Sequence, residues 1–319
     1  MLFNVVITDS GFANHDPERE LLKGHAELKK IDWKDEEELR FKTRDADVLL
    51  VQWASISQYV IEGLERCKAI IRYGIGVDNI DLKAAKEKGI RVCNVPDYCI
   101  NEVADHTIAL ALAALRQIPA VDTNVRQGDW SIVLPKEVAP FDEMVYGLAG
   151  FGRIAQAVAK RALGLGFAVK AYDPFVAPES MRLLHVEPVD RDTLMQQSDI
   201  LSLHLPLKPD TVHFLNGRSI ARMKPNALVV NTSRGGLIDT AALTEAISKR
   251  QIWGAALDVF EEEPLPLSHK LMEMPEVVLS SHVAWYSRRS IPLLQRKVAE
   301  EALRAISGVP PLHSVIPFS

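Results

Sequence analysis

Cysteine is scarce in this chain of 319 residues: Cys67, Cys93 and Cys99 are the only three, an odd number without metal-type spacing. That argues against a disulfide framework or a cysteine-built metal site, and points to reduced core thiols in a cytoplasmic protein. Positive charge is not in excess either. The formal net charge is −5, the sequence pI is about 6.0 and the basic residues are dispersed, so nothing favours nucleic acid or an anionic membrane as a partner. No apolar run approaches a membrane span, and the longest, Ile108 to Leu115, suits a buried helix. Met1 to Ser10 lacks a basic n-region and a small-residue cleavage site, so it reads as a first core strand and a turn, not a signal peptide. There is no low-complexity tract and no internal repeat. The apolar (47%) and charged (25%) fractions are those of an ordinary folded soluble protein, and the length suits two domains.

What is present is an alternation of short apolar runs with helical patterns. LFNVVIT, AELKKI, DVLLVQ, AIIRY and IRVCNV read as strands in the first hundred residues, as parallel βα units would. An Ala/Leu-rich helix is expected from Asn101 to Arg116, with Asn101 as its N-cap. After a loop around Gly128 to Pro140 the alternation resumes, with strands at FAVKAY, DILSLHL, ALVVNTS, GAALDV and VVLSS. A last helix, roughly Arg288 to Ile306, is too isolated to form a domain. The expected architecture is therefore α/β, with two doubly wound parallel-sheet (Rossmann-like) domains and a cleft between them. Residues 1–100 and 288–319 would form a discontinuous flavodoxin-like domain, and 101–287 a nucleotide-binding one.

The nucleotide assignment rests on YGLAGFGRIAQAVAKRALGLGFAVKAYDPF, Tyr146 to Phe175. An apolar segment leads into Gly150 and Gly152, an Ala-rich helix follows, and a second apolar segment ends at Asp173. Glycines permit a tight turn and close backbone approach to a pyrophosphate, while the helix N-terminus offers free N–H groups and a positive dipole end. Asp173 stands at roughly the twenty-residue offset where an acid accepts the ribose hydroxyls, which favours NAD over NADP. Ala155 takes the third fingerprint position, where only close helix–strand packing is required.

Three polar residues each follow a strand of this half: Arg234 after ALVVNTS, Glu263 past GAALDVF and His282 after VVLSS. Ligands in open parallel sheets lie beyond the carboxyl ends of the strands, so the three could meet near a nicotinamide. Reduction of a 2-keto acid needs such a set. A guanidinium binds the carboxylate and polarises the ketone, an imidazolium protonates the developing alkoxide, and a neighbouring carboxylate favours the charged ring and fixes its tautomer.

NTSRGGLID, GAALDVFEEEP and SSHVAWYS resemble the Arg, Glu and His signature blocks of the D-isomer-specific 2-hydroxyacid dehydrogenases, and IRYGIGVDNIDL and the dinucleotide segment are also similar to that family. The resemblance covers nearly the whole chain. It implies catalytic roles for Arg234, Glu263 and His282, with Glu261 and Glu262 as solvated neighbours. The turn of Arg72, Tyr73, Gly74, Ile75 and Gly76, running on to Val77, would give backbone N–H groups to the substrate carboxylate. NAD would be held by Gly150, Phe151, Gly152, Arg153, Ile154 and Asp173, by Thr107, and by His204, Leu205, Pro206 and Thr211. Thr232, Ser233, Asp258 and Ala284 complete that set, with Asp258 on the carboxamide. Trp285 resembles the C-terminal-binding-protein branch and would either line the substrate pocket or fill space between domains. No metal is implied, and a homodimer through the nucleotide domains is, by way of Asn101–Arg116 and the following segment with Trp130. Reduction of a 2-keto acid to the D-hydroxy acid, a corepressor-like NAD-sensing role and a phosphoglycerate-type dehydrogenase remain the alternatives. FDEMVYGLAG departs from the common Gly-Lys-Thr turn, and with the sequence ending soon after its last helix, no ACT-type regulatory domain is expected.

Overall fold

The computed structural model describes residues 2–132, 134 and 136–316; Met1, Val133, Pro135 and 317–319, which fall within expected segments, lie outside the described residues. The chain forms two compact units, one running up to Cys99 and resuming at Tyr286, the other spanning Ile100–Trp285.

The first unit runs β1 (Phe3–Ile7), α1 (Asp16–Leu22), β2 (Ala26–Lys30), α2 (Glu36–Thr43), β3 (Val48–Val51), α3 (Gln58–Gly63), β4 (Ala69–Arg72), α4 (Leu82–Glu87) and β5 (Arg91–Cys93). Its strands pair in parallel in the order β2-β1-β3-β4-β5. Central β3 is buried along its whole length, so it reads as an unbroken apolar run, whereas edge strand β2 alternates and stays half exposed. Asp35, Ser57 and Asp81 cap α2, α3 and α4 by accepting an N–H of the first turn.

The second unit holds α5 (Ile100–Leu115), α6 (Ile118–Arg126), β6 (Val145–Ala149), α7 (Arg153–Gly164), β7 (Ala168–Tyr172), α8 (Pro178–Arg182), β8 (Glu187–Pro188), α9 (Arg191–Gln197), β9 (Ile200–Leu203), α10 (Gly217–Ile220), β10 (Leu228–Asn231), α11 (Thr240–Ser248), β11 (Gly254–Leu257) and β12 (Val277–Leu279). The order β12-β11-β10-β9-β6-β7-β8 is parallel throughout and reverses direction between β6 and β9. Helix α12 (Ser290–Ile306) follows and packs on α1 of the first unit.

Two expectations need correction here. Helix α5 begins at Ile100, so Asn101 lies inside it, and its side-chain oxygen accepts from Arg161 at 3.2 Å instead of capping. Nor do the apolar residues of α5 form an exposed patch: Val103, Ala104, Ile108, Leu110, Ala111 and Leu115 are buried, packed with α7 and the sheet. The exposed apolar residues are instead on α6, which the sequence pattern did not separate from the loop, and just beyond it. Ile118 and Val125 are exposed, as are Trp130 (80%) and Ile132 (90%). Strand β8, two residues long at the sheet edge, is below the length at which periodicity is readable. No helix among the described residues is long and apolar enough to cross a membrane.

Candidate active site

The glycine loop follows β6. Gly150 has φ +92°, and a Cβ there would lie 2.7 Å from the backbone oxygen of His204. That glycine is required by the protein itself. Gly152 is different: its φ is an ordinary −73°, and a Cβ would meet nothing within 4 Å. It N-caps α7 without a side-chain hydrogen bond, leaving the first-turn amides of Arg153 and Ile154 without a side-chain cap. Open space at a glycine of ordinary φ, over an uncapped helix N-terminus, fits a bound pyrophosphate. Asp173 stands just past β7, its two oxygens accepting from Phe151 N at 2.8 Å and Phe175 N at 2.9 Å. Phe151 and Ala155 are fully buried, so Phe151 can offer a cofactor only its backbone, and Ala155 provides the close helix–sheet packing.

Beyond β9, Leu205 lies against Gly150. The His204 ring accepts or donates through Nε2 to Ser202 at 2.9 Å, and burial pushes it down to about 4, so it is neutral. The Thr211 hydroxyl donates to Pro206 O at 2.6 Å and thereby closes the 206–211 turn. Buried Thr107 and Thr232 share a 2.7 Å hydroxyl contact, and Ser233 Oγ donates to Leu203 O at 2.8 Å. All four of these hydroxyls thus have protein partners.

Arg234 follows β10 and opens the 3-10 turn Gly235–Leu237. Buried Asn231, which sequence reasoning passed over, holds this loop: its Nδ2 donates to Arg234 O at 2.8 Å and its Oδ1 accepts from Ser233 N at 3.0 Å. A polar residue closing an otherwise apolar strand was its only signal.

His282 lies beyond β12, with Nδ1 2.7 Å from Glu263 Oε2. The other Glu263 oxygen accepts from Phe260 N at 2.9 Å. Burial pulls the Glu263 carboxyl upward, but the His282 hydrogen bond and charge, the Phe260 amide and the Arg234 charge outweigh it and hold it below the usual glutamate range. With Nδ1 facing the carboxylate, Nε2 is the ring nitrogen left for chemistry.

His282 also has φ +56°, which is strained for a residue with a Cβ. Its backbone is held at both ends: its N–H donates to Asp258 O at 2.7 Å, and the Trp285 indole N–H donates to its carbonyl at 2.9 Å. Fully buried Asp258 organises the same loop. Its Oδ1 accepts from Ser280 Oγ at 2.6 Å and Val283 N at 3.0 Å, and its Oδ2 from Ala284 N at 2.9 Å. Burial raises the Asp258 carboxyl, and the His106, Ser280, Ala284 and Val283 hydrogen bonds bring it below its usual range.

In the first unit, the turn after β4 is narrower as an amide donor than expected. Tyr73 N donates to Val51 O and Gly74 N to Arg72 O. The Tyr73 side chain is buried, its hydroxyl donating to Glu18 at 2.8 Å, and the Arg72 guanidinium lies over Gly74. The amides of Ile75, Gly76 and Val77 are the ones left for a ligand among the described residues of this turn. Glu261, expected as a solvated neighbour, is exposed, and it also pairs with His213 at 2.7 Å and accepts from Thr240 N at 2.9 Å.

Comparison with known proteins identifies the family. Residues 108–284 match the model of the D-isomer specific 2-hydroxyacid dehydrogenase NAD binding domain. The chain is 38% identical to the D-3-phosphoglycerate dehydrogenase of Methanocaldococcus jannaschii, over 96% of this chain and 58% of that protein. It is 41% identical to the hydroxypyruvate reductase of Thermotoga maritima, over 82% and 84% respectively. The crystal structure of D-lactate dehydrogenase from Aquifex aeolicus, complexed with NAD and lactic acid, superposes with a TM-score of 0.88 at 26% identity, covering 99% and 100% of the two chains. The chain belongs to the D-isomer specific 2-hydroxyacid dehydrogenase family and carries its NAD-binding domain. It spans only 53–58% of the length of these phosphoglycerate dehydrogenases.

Proposed function

We propose that this protein is an NAD-dependent reductase that converts a small 2-keto acid to the D-2-hydroxy acid, reversibly. The observation that carries the reading is the His282–Glu263 pair, 2.7 Å apart, on the loops beyond β12 and β11, with Arg234 beyond the adjacent β10. When bound, NADH supplies the hydride. The chain supplies the rest. Arg234 binds the substrate carboxylate and polarises the ketone, and His282 Nε2 delivers a proton to the carbonyl oxygen as it becomes an alkoxide. Glu263 holds the ring by Nδ1 and stabilises its charged form before proton transfer.

Glyoxylate and hydroxypyruvate are the first substrates to try, because the hydroxypyruvate reductase relative is matched over most of both chains. Phosphohydroxypyruvate is the second class, favoured by the identity to phosphoglycerate dehydrogenases. We further propose a homodimer, formed through α6 and the segment after it, where Ile118, Val125, Trp130 and Ile132 leave an exposed apolar patch. NADH oxidation across glyoxylate, hydroxypyruvate, pyruvate, aromatic and phosphorylated keto acids tests the reading. Turnover of at least one is expected, and none with any of them would sink it. Sedimentation at micromolar concentration tests the dimer, which a purely monomeric protein would rule out.

A further inference from the structure

Two residues before Glu263 the chain carries a second glutamate with a second histidine. Glu261 Oε1 lies 2.7 Å from His213 Nε2, and Oε2 accepts a 2.9 Å hydrogen bond from Thr240 N, the first residue of α11. His213 donates its own backbone N–H to Gly236 O at 2.9 Å. Gly236 and Thr240 both lie on the segment that leaves Arg234. One carboxylate therefore joins the connection after β9, the Arg234 segment and the loop that bears Glu263. Packing at this junction has no slack, since a Cβ on Gly235 would fall 1.8 Å from the backbone carbon of Phe260. Phe260 in turn donates its N–H to Glu263.

Magnitudes decide what such a pair is for. The His213 and Glu261 side chains are 42% and 36% exposed, and exposed ion pairs contribute about 0–1 kcal/mol to stability. That is too little to matter to the fold of a large unit. Position is another matter: a displacement of about 1 Å at a reacting group can cost about 10²-fold in rate.

We infer that Glu261 is a positioning residue, gripping His213 and the first amide of α11 so that its loop presents Glu263 to Nδ1 of His282. The inference rests on the proposed reading of His282 and Glu263 as the acid/base pair. Alternate side chains of the loop face opposite partners: Glu263 turns to His282, Glu261 to His213 and α11.

The test uses the full chain and two independent readouts. The first is ¹⁵N NMR of selectively labelled histidines, with the His282 signal assigned from His282→Gln. It reports the ring tautomer and needs no substrate. Glu261→Ala is expected to shift His282 away from the Nδ1–H tautomer, as Glu263→Gln does, while Glu261→Gln, which keeps an acceptor for Thr240, restores part of it. The second readout is keto-acid turnover. Glu261→Ala should lower kcat about tenfold with little change in KM for NADH, yet add almost nothing in the Glu263→Gln background, since the two act through one contact. An unmoved His282 tautomer, or losses that multiply in the double variant, would overturn the inference. Absence of turnover in the parent would overturn the reductase reading alone, because the tautomer result stands without it.

Discussion

His282 Nδ1 and Glu263 Oε2 are 2.7 Å apart although they stand 19 positions apart in sequence, and the histidine that makes this contact is held at φ +56°. A strained backbone and a charge-assisted hydrogen bond meet at one residue. The strain persists because Asp258 O and the Trp285 indole fix the peptide groups on either side.

Replacing the proton donor tests this pair directly. His282→Ala should lower keto-acid reduction by about 10²–10⁴-fold, the scale for a positioned acid, while NADH affinity changes little. Glu263→Gln should retain activity but move the pH profile of reduction to lower pH, because the charged ring loses the carboxylate that stabilises it. A profile that stays in place would remove Glu263 as the partner.

Asp258 predicts an acid limit to the His loop. Its folded carboxyl titrates below the unfolded one, so its contribution to stability is fully present above the unfolded value and disappears as pH falls through the folded one. Asp258→Asn sets an amide against donors that need an acceptor. It should cost about 1–3 kcal/mol and flatten the acid side of the stability curve, measured by urea unfolding between pH 3 and pH 7 as about the useful range.

The two fingerprint glycines should respond oppositely to alanine. Gly150→Ala places a methyl in a positive-φ position against His204 O, costing about 1–3 kcal/mol of stability. Gly152→Ala enters open space at ordinary φ, so the melting temperature should hold or rise while NADH affinity falls. Unaltered NADH binding by Gly152→Ala would place the pyrophosphate elsewhere.

Cofactor choice is expected to follow Asp173. NADH should bind more tightly than NADPH, since a 2′-phosphate would be desolvated against a carboxylate. Asp173→Ala should weaken NADH and narrow the gap, as titration of intrinsic fluorescence with each cofactor would report.

Trp285 predicts a modest effect on substrate choice. If its ring walls the substrate pocket, Trp285→Ala shifts the ranking of small against large keto acids by about 1–3 kcal/mol and spares NADH affinity. An unchanged ranking in kcat/KM would leave the indole with the one role its hydrogen bond to His282 O defines, bracing the loop.

The strands other than β8, the glycine loop and the place of Asp173 were legible from sequence alone, because each is written in local terms. Fully buried strands such as β3 and β10 need unbroken apolar runs, and a turn at φ +92° needs glycine. Order along the chain also placed Arg234, Glu263 and His282 after successive strands. Tertiary structure decided what those local rules cannot reach. Tyr73 faces Glu18 inside the first unit, so it offers a ligand neither its ring nor its amide. Helix α5 is buried and α6 exposed, although α5 is the more apolar in sequence, because only α5 lies against a sheet. Three consecutive glutamates, Glu261 to Glu263, are chemically identical in sequence. Which one meets His282, and which one His213, depends on the parallel pairing of β10, β11 and β12, which sets loops distant in sequence side by side.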